Sequence, residues 1–141
     1  SLATLKEARR AMRVQKGHAG LTTLNLEPRF LLVPAALESD AEQLLATLVD
    51  PSKSNDTPSF RFIQNLQLVV DARLDDVSTT AWYLASSPDQ IDTLEVGYVN
   101  DRDFEIEQAN DFATDAYSWK IRSDIGVGVL DWRGLYRNAG A

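Results

Sequence analysis

The chain has 141 residues, of which 44% are hydrophobic and 25% charged, and its net charge at pH 7 is −7. These values are typical of one globular domain, although two lobes that share one sheet are also possible, and they argue against disorder. No apolar run approaches the ~20 residues that a membrane span requires. Because the sequence contains no cysteine, disulfides and thiolate metal sites are excluded.

The first segment has the pattern of an amphipathic helix. Apolar residues recur in it at three- and four-residue intervals: Leu2, Leu5, Ala8 and Met12. We expect this helix to run to Lys16 and to stop at Gly17, a residue suited to a left-handed cap. Since the chain opens on Ser1 directly in helical sequence, we interpret it as a piece of a longer protein.

Basic charge is concentrated in this helix. Residues 1–16 contain five basic residues and one glutamate, a net charge of +4, which leaves −11 for the other 125 residues. This asymmetry predicts that copies attract one another head to body, with an attraction that weakens as salt rises. The alternative is a solvated helix face. Direct DNA binding is not expected, because the helix has no interleaved aromatic residues and the chain is acidic overall.

Residues 30–48 are predicted to form a strand and then a helix. The apolar run 30–33 suits a strand buried on both faces, and Pro34 suits the start of a helix because its missing N–H costs little there. One face of the predicted helix is apolar: Leu37, Ala41, Leu44, Leu45 and Leu48. The polar, proline-bounded run 50–59 is predicted to be a loop.

The second half of the chain is predicted to consist mainly of strands and turns. Strands are expected over four ranges: 66–70, 81–85, 93–99 and 104–108. The last two are predicted to form a hairpin around residues 100–103. Residues 110–116 are predicted to be a polar connection.

The last quarter of the chain alternates over a long stretch. Apolar residues fall on one side of an extended chain: Tyr117, Trp119, Ile121, Ile125, Val127 and Val129. Between the last three lie Gly126 and Gly128, which leave the opposite face without side chains, where another backbone can approach closely. This pattern predicts a long, half-buried strand that needs a neighbour and serves contact rather than chemistry.

Three aspartates are the strongest candidates for chemistry. Asp71, Asp75 and Asp76 could form a glycosidase-like or metal-binding cluster, although without a partner motif they are more simply turn residues. Four acids in the predicted hairpin lack the glycine and final glutamate of a calcium loop, and are interpreted as its solvated face: Asp101, Asp103, Glu105 and Glu107. A hydrolase or metal-binding domain is therefore the alternative function.

The remaining candidates have simpler interpretations. His18 is the single histidine and lies in a predicted loop, without ligands to complete a metal set. Trp82, Trp119 and Trp132 could line a pocket for a small ligand, or serve as core and interface anchors. The sequence has no nucleophile elbow and no dinucleotide fingerprint, so we assign no catalytic residue, metal or cofactor.

The C-terminal run DWRGLYRN, at residues 131–138, resembles the end of the Mu-like major head subunits of tailed phages and prophages. Three further runs occur in the family's order: PRFLLVPAAL at 28–37, VVDARL at 69–74 and TAWYLA at 80–85. Together these four runs span most of the chain.

The resemblance implies the α+β fold of tailed-phage major capsid proteins, the Hong Kong-type fold. Residues 1–30 would then hold the end of the spine helix and a connection to the peripheral domain. Residues 31–94 would be mostly axial domain, a sheet with helices around it. Residues 95–141 would supply the long return strands of the peripheral domain.

By the same resemblance the chain is a structural, non-enzymatic subunit, made in the bacterial cytoplasm, that self-assembles into an icosahedral virion shell. The shell would enclose double-stranded DNA without binding it specifically, and a scaffolding protein is a candidate partner. The resemblance implies no membrane and no cofactor. We expect Arg9, Arg10 and Arg13 to contact an acidic surface of the adjacent subunit.

Overall fold

The computed structural model describes residues 1–46 and 65–140. The chain divides into two compact units. The core unit comprises Ser1–Thr93 with Asp131–Ala141, and the ribbon unit comprises Leu94–Leu130. The core unit combines helices with a sheet, which matches the predicted α+β class.

Two α-helices and eight strands lie in the described residues. The helices are α1 (Leu2–Val14) and α2 (Glu38–Ala46). The strands are β1 (Pro28–Val33), β2 (Gln67–Val70), β3 (Trp82–Ser86), β4 (Leu94–Tyr98), β5 (Glu105–Asp111), β6 (Ala116–Arg122), β7 (Ile125–Val129) and β8 (Leu135–Asn138). Strands β4 to β7 belong to the ribbon unit, and the others belong to the core unit.

Helix α1 begins with a capping box. The Ser1 hydroxyl accepts a hydrogen bond from the Thr4 N–H at 3.4 Å, and the Thr4 hydroxyl accepts one from the Ser1 amino group at 3.2 Å. These bonds satisfy groups that the first helical turn leaves without partners. The predicted apolar stripe is present and buried: Leu2, Leu5, Ala8 and Met12.

The end of α1 differs from the prediction. The helix stops at Val14, because Gln15 is extended, with φ −54° and ψ 133°. Gly17 is not a left-handed cap. Its N–H donates to the Thr22 carbonyl at 2.9 Å, within a turn whose positive φ of 70° belongs to Gly20. The helix therefore ends early, and the residues after it form an antiparallel bridge between Lys16 and Thr23 across this turn.

A four-stranded sheet in the order β2-β1-β3-β8 forms the centre of the core unit. β1 pairs in parallel with β2, and α2 lies in the connection between them, after a 3₁₀ turn at Ala35–Leu37. The other two neighbouring pairs are antiparallel. The first three predicted strands are confirmed as β1, β2 and β3, and the second predicted helix is confirmed as α2. Leu48 and the predicted loop at 50–59 lie outside the described residues.

Helices and sheet meet in one apolar core. Its buried members come from α1, β1, α2, β3 and the residue before β2: Leu2, Leu5, Ala8, Met12, Leu31, Val33, Ala41, Leu66 and Leu84. Leu31 and Val33 of β1 are buried here, whereas Phe30 and Leu32, which alternate with them, are half-buried. β1 is therefore fully covered on one face and not, as predicted, on both.

The ribbon unit consists of two antiparallel strand pairs. β4 pairs with β7, and β5 pairs with β6. The strands predicted at 93–99 and 104–108 are confirmed as β4 and β5, but they do not pair with each other, so the predicted hairpin between them is wrong. The predicted connection at 110–116 is reduced to the turn at 112–115 that joins β5 to β6.

Side-chain hydrogen bonds explain the position of this turn. The Asp111 carboxylate accepts from the Ala113 N–H at 3.1 Å and from the Thr114 hydroxyl at 2.7 Å. Asp115, in this turn, has a positive φ, and so do Asn100 and Asp101 at the predicted turn. The latter two form a kink between β4 and β5 instead of a hairpin.

Substitution of Leu84 tests whether the assigned core stabilises the fold. Its side chain is 0% exposed, so Leu84→Ala should lower the free energy of unfolding by about 2–5 kcal/mol, through lost apolar burial and the cavity left behind. Leu21 is 86% exposed and gives the matched control, because Leu21→Ala should change that free energy by less than about 0.5 kcal/mol. Chemical denaturation followed by circular dichroism measures both, and equal losses would contradict the assignment.

Candidate functional site

The β4–β7 pair has two unlike faces. Three cross-strand pairs line one of them: Leu94 with Val129, Val96 with Val127, and Tyr98 with Ile125. We call these six residues the apolar face. All six side chains are exposed, Val129 to 73%. A contiguous exposed apolar surface of this kind makes the apolar face a candidate interaction site.

The opposite side of the same strand pair is nearly bare. Gly97 lies opposite Gly126, and Glu95 lies opposite Gly128. A Cβ atom built on any of the three glycines would meet nothing within 4 Å. We call Gly97, Gly126 and Gly128 the glycine face. The bare patch predicted on the last strand is confirmed, and Gly97 extends it onto β4. The sequence signal for the pairing of β4 with β7 is that both strands alternate apolar residues with glycine or a charged residue.

The β5–β6 pair separates its side chains by chemistry less strictly. One side carries Ile106, Tyr117, Trp119 and Ile121 together with the polar residues Gln108 and Asn110. On the other side Glu107 binds Lys120 at 3.2 Å. The predicted alternation is confirmed, but the predicted half-burial is wrong, because no residue of the ribbon unit is buried and Trp119 is 66% exposed. The predicted long strand is two strands, β6 and β7, separated at residues 123–124.

Two of the three predicted contact arginines, Arg9 and Arg13, form ion pairs within the chain. Arg9 and Arg13 both bind the Glu27 carboxylate, at 3.0 and 2.8 Å, and Arg13 also donates to the Asn25 side-chain oxygen at 2.9 Å. The Arg9 hydrogen bond, helped by the charge of Arg13, lowers the pKa of Glu27, although burial opposes the shift. Arg10 is exposed. That these arginines contact an adjacent subunit stays a prediction.

Asp71 and Asp75 have structural roles. The Asp75 carboxylate accepts hydrogen bonds from the N–H groups of Ala35 and Ala36, at 3.1 and 3.3 Å, where the 3₁₀ turn before α2 begins. The Asp71 carboxylate accepts from the side chain and the N–H of Arg73, both at 3.0 Å, which lowers the pKa of Asp71. Among the described residues, no group of three or more His, Cys, Asp or Glu side chains is arranged to hold a metal. Both carboxylates instead satisfy backbone groups at the starts of turns.

The acids at 101–107 lie in two different settings. Asp101 lies in the kink before β5, with φ 55°, and Asp103 lies between this kink and the strand. Only Glu105 and Glu107 belong to β5. The predicted solvated strand face therefore includes two of the four acids.

The remaining candidate residues are mostly exposed. His18 and Asp76 face solvent. Trp132 is exposed like Trp119. Trp82 lines a cleft of about 480 Å³ between α1, β1 and α2. The structure thus places one of the three tryptophans, not all three, at this cleft.

The start of the DWRGLYRN run folds into a tight turn. The Asp131 carboxylate accepts from the Arg133 N–H at 2.9 Å and from its guanidinium at 3.1 Å, and these hydrogen bonds lower the pKa of Asp131. Gly134 follows and is buried, and a Cβ there would lie 2.7 Å from an Ile91 methyl group. The same aspartate–arginine spacing forms the turn after β2.

The four runs that resemble phage head subunits all lie in the core unit. A family model described as phage capsid protein matches residues 1–138. The chain belongs to the phage capsid protein family. Membership indicates that this capsid protein is a structural, non-enzymatic subunit of a multimeric virion shell.

Other comparisons add no relative to this assignment. A search of curated proteins finds no match to the capsid protein, and neither does a search of solved structures. Within residues 1–46 and 65–140, no helix is both long and apolar enough to cross a membrane.

Glu27→Gln tests the contacts of Arg9 and Arg13. Because the pKa of Glu27 is lowered in the folded chain, the ionised carboxylate stabilises the fold fully above its ordinary pKa of 4.5 and loses this effect as the pH falls through the lowered value. The Glu27 side chain is 46% exposed and partly screened, so the substitution should lower the free energy of unfolding at pH 7 by about 0.5–1 kcal/mol.

Denaturation curves at several pH values measure this difference, which should shrink as the pH falls below 4.5. The matched control is Glu42→Gln, on the exposed side of α2, which should leave the free energy of unfolding unchanged. A loss for Glu27→Gln that is the same at low and neutral pH would show that the charge of Glu27 is not what stabilises the fold.

Proposed function

We propose that this capsid protein self-assembles into the closed icosahedral head of a Mu-like phage or prophage, around double-stranded DNA. The family match over residues 1–138 carries the proposal. The four runs that resemble Mu-like head subunits support the finer assignment. The net charge of −7 gives the chain little attraction for DNA phosphates, which bind to basic surfaces, and this fits a shell that encloses DNA without a specific binding site for it.

The ribbon unit supplies a physical reason for assembly. A two-stranded ribbon is marginally stable by itself in water, and in a single copy its apolar side chains stay exposed. Neighbouring subunits that cover them remove apolar surface from water, which favours assembly against the loss of translational and rotational freedom. Because closed symmetry repeats the same contact at every subunit, modest contacts suffice for a stable shell.

The proposal includes the Hong Kong-type fold and its domains. We assign residues 1–30 to the end of the spine helix and its connection, residues 31–94 mostly to the axial domain, and residues 95–141 to the peripheral domain. The resemblance supports this division, and the amphipathic α1 suits the end of a spine helix. A scaffolding protein, as an assembly partner, and synthesis in the bacterial cytoplasm belong to the same proposal.

Expression from the complete reading frame tests the proposed function. We expect closed shells or regular capsomer rings in negative-stain electron microscopy, with the protein alone or with a scaffolding protein encoded beside it. A parallel preparation from cells without the gene identifies particles of the host. Dispersed monomers across a range of salt and protein concentrations would contradict self-assembly.

Arg10 gives the sharpest test of the basic helix. Arg9 and Arg13 form ion pairs with Glu27, so reversing their charges also destabilises the fold. Arg10→Glu leaves these ion pairs intact. If α1 meets an acidic surface of the adjacent subunit, Arg10→Glu should reduce the yield of particles severalfold, most strongly at low salt. The matched control is Arg29→Glu, an exposed charge reversal outside α1. An undiminished yield for Arg10→Glu would remove Arg10 from the contact.

A further inference from the structure

The apolar face of β4–β7 has no cover in a single copy of the chain. Its six side chains are between 41% and 73% exposed, which amounts to on the order of 500 Å² of apolar surface. A patch of that size is near the upper end of what a monomer exposes, and such patches are often functional. With its surroundings it approaches the ~800 Å² that each partner buries in a standard interface.

The glycine face gives this surface a matching partner. Without side chains at Gly97, Gly126 and Gly128, the backbone of β4–β7 presents a flat strip that an opposing apolar side chain can reach. Stacked sheets ordinarily lie ~10 Å apart because side chains fill both facing surfaces. Here one surface is bare, so the two backbones can approach more closely. Glu95, the one charged residue on this side, lies near the end of β4, where it can remain in water.

We propose that the apolar face of one copy packs on the glycine face of the next copy. This inference rests on the proposed function, because a shell of identical subunits brings identical ribbons into contact. A face that packs on its unlike counterpart forms a head-to-tail contact, which continues from copy to copy and closes into a ring when the rotation permits. Packing of apolar face on apolar face would instead produce isolated pairs and leave the glycine face empty.

The charge distribution agrees with a contact confined to β4–β7. The ribbon unit contains eight acidic and three basic residues, so neighbouring ribbons repel each other. All of these residues except Glu95 lie outside β4 and β7. Salt screens the repulsion, so the ribbon contact should strengthen as salt rises. A contact through Arg10 should weaken under the same conditions.

Gly126→Val tests the glycine face directly. The added side chain has open space in the chain, and valine suits a strand, so the unfolding curve should be retained. In the assembly this side chain would hold the neighbouring ribbon away, and we expect the protein concentration required for assembly to rise about tenfold or more. Assembly of the variant at the wild-type concentration would overturn the proposal. The matched control is Ala109→Val, an enlargement at an exposed position of β5, which should assemble like the wild type.

Crosslinking identifies the faces that meet. The chain contains no cysteine, so Glu95→Cys and Val127→Cys place single thiols on opposite faces of the β4–β7 pair without adding a side chain at a glycine. When the two variants are mixed, assembled and treated with a short bis-maleimide, the product should be a dimer that contains one of each, distinguished by a size tag on one variant. Products that link either variant only to itself would reject the head-to-tail contact, and so would assembled particles without any crosslink.

The two levels of proposal fail in different ways. Wild-type shells, combined with normal assembly of Gly126→Val, would reject only the ribbon contact. Wild-type protein that never assembles would contradict the proposed function, and the ribbon contact with it.

Discussion

A two-stranded ribbon has two faces and no third layer, so its apolar side chains can be covered only by something outside it. In the core unit the apolar side chains of one strand face are covered, because Leu31 and Val33 of β1 share one apolar cluster with residues of α1 and α2. Val127 and Val129 of β7 stay exposed. Both strands carry apolar side chains on one face, and what differs is the layer packed on that face. This difference separates apolar surface that the core unit covers itself from apolar surface that the ribbon unit leaves exposed, and in the proposed shell neighbouring subunits would cover it.

Hydrophobic periodicity predicts which residues share a face, but it does not predict which strands pair. It places both helices and the first five strands within a few residues of their positions in the structure. In the ribbon unit it does not show which strands pair, because the runs 100–103 and 112–115 both contain residues with positive φ. The hairpin forms at the second run because Asp111 fixes it through two side-chain hydrogen bonds. An aspartate whose carboxylate accepts a hydrogen bond from the backbone N–H two residues later is a recognisable turn signal. At Asp111 this signal indicates the turn that joins β5 to β6.

Charged residues show the same limit in another form. Glu27 forms an ion pair with Arg9, which lies eighteen positions earlier in the sequence. A helical pattern alone therefore does not show that part of the basic face binds a carboxylate of the same chain. The Asp75 carboxylate accepts a hydrogen bond from the N–H of Ala35, which lies forty positions earlier in the sequence. Asp71, by contrast, closes its own turn through a residue two positions on, a spacing that is readable in the sequence. Local roles of side chains are therefore predictable from the sequence, while roles that join distant segments require the fold.

Glycines separate the constraints of folding from those of assembly. Gly134 is required by the fold, because a Cβ there would lie 2.7 Å from an Ile91 methyl group. Open space surrounds Gly97, Gly126 and Gly128, and a glycine inside a strand costs about 0.5–1 kcal/mol relative to alanine. Three of them on one face weaken the ribbon, and nothing among the described residues within 4 Å of their Cβ positions offsets that loss. The loss has a physical reason if a neighbouring ribbon uses the space, and in a shell built of one kind of subunit that ribbon belongs to another copy of the chain.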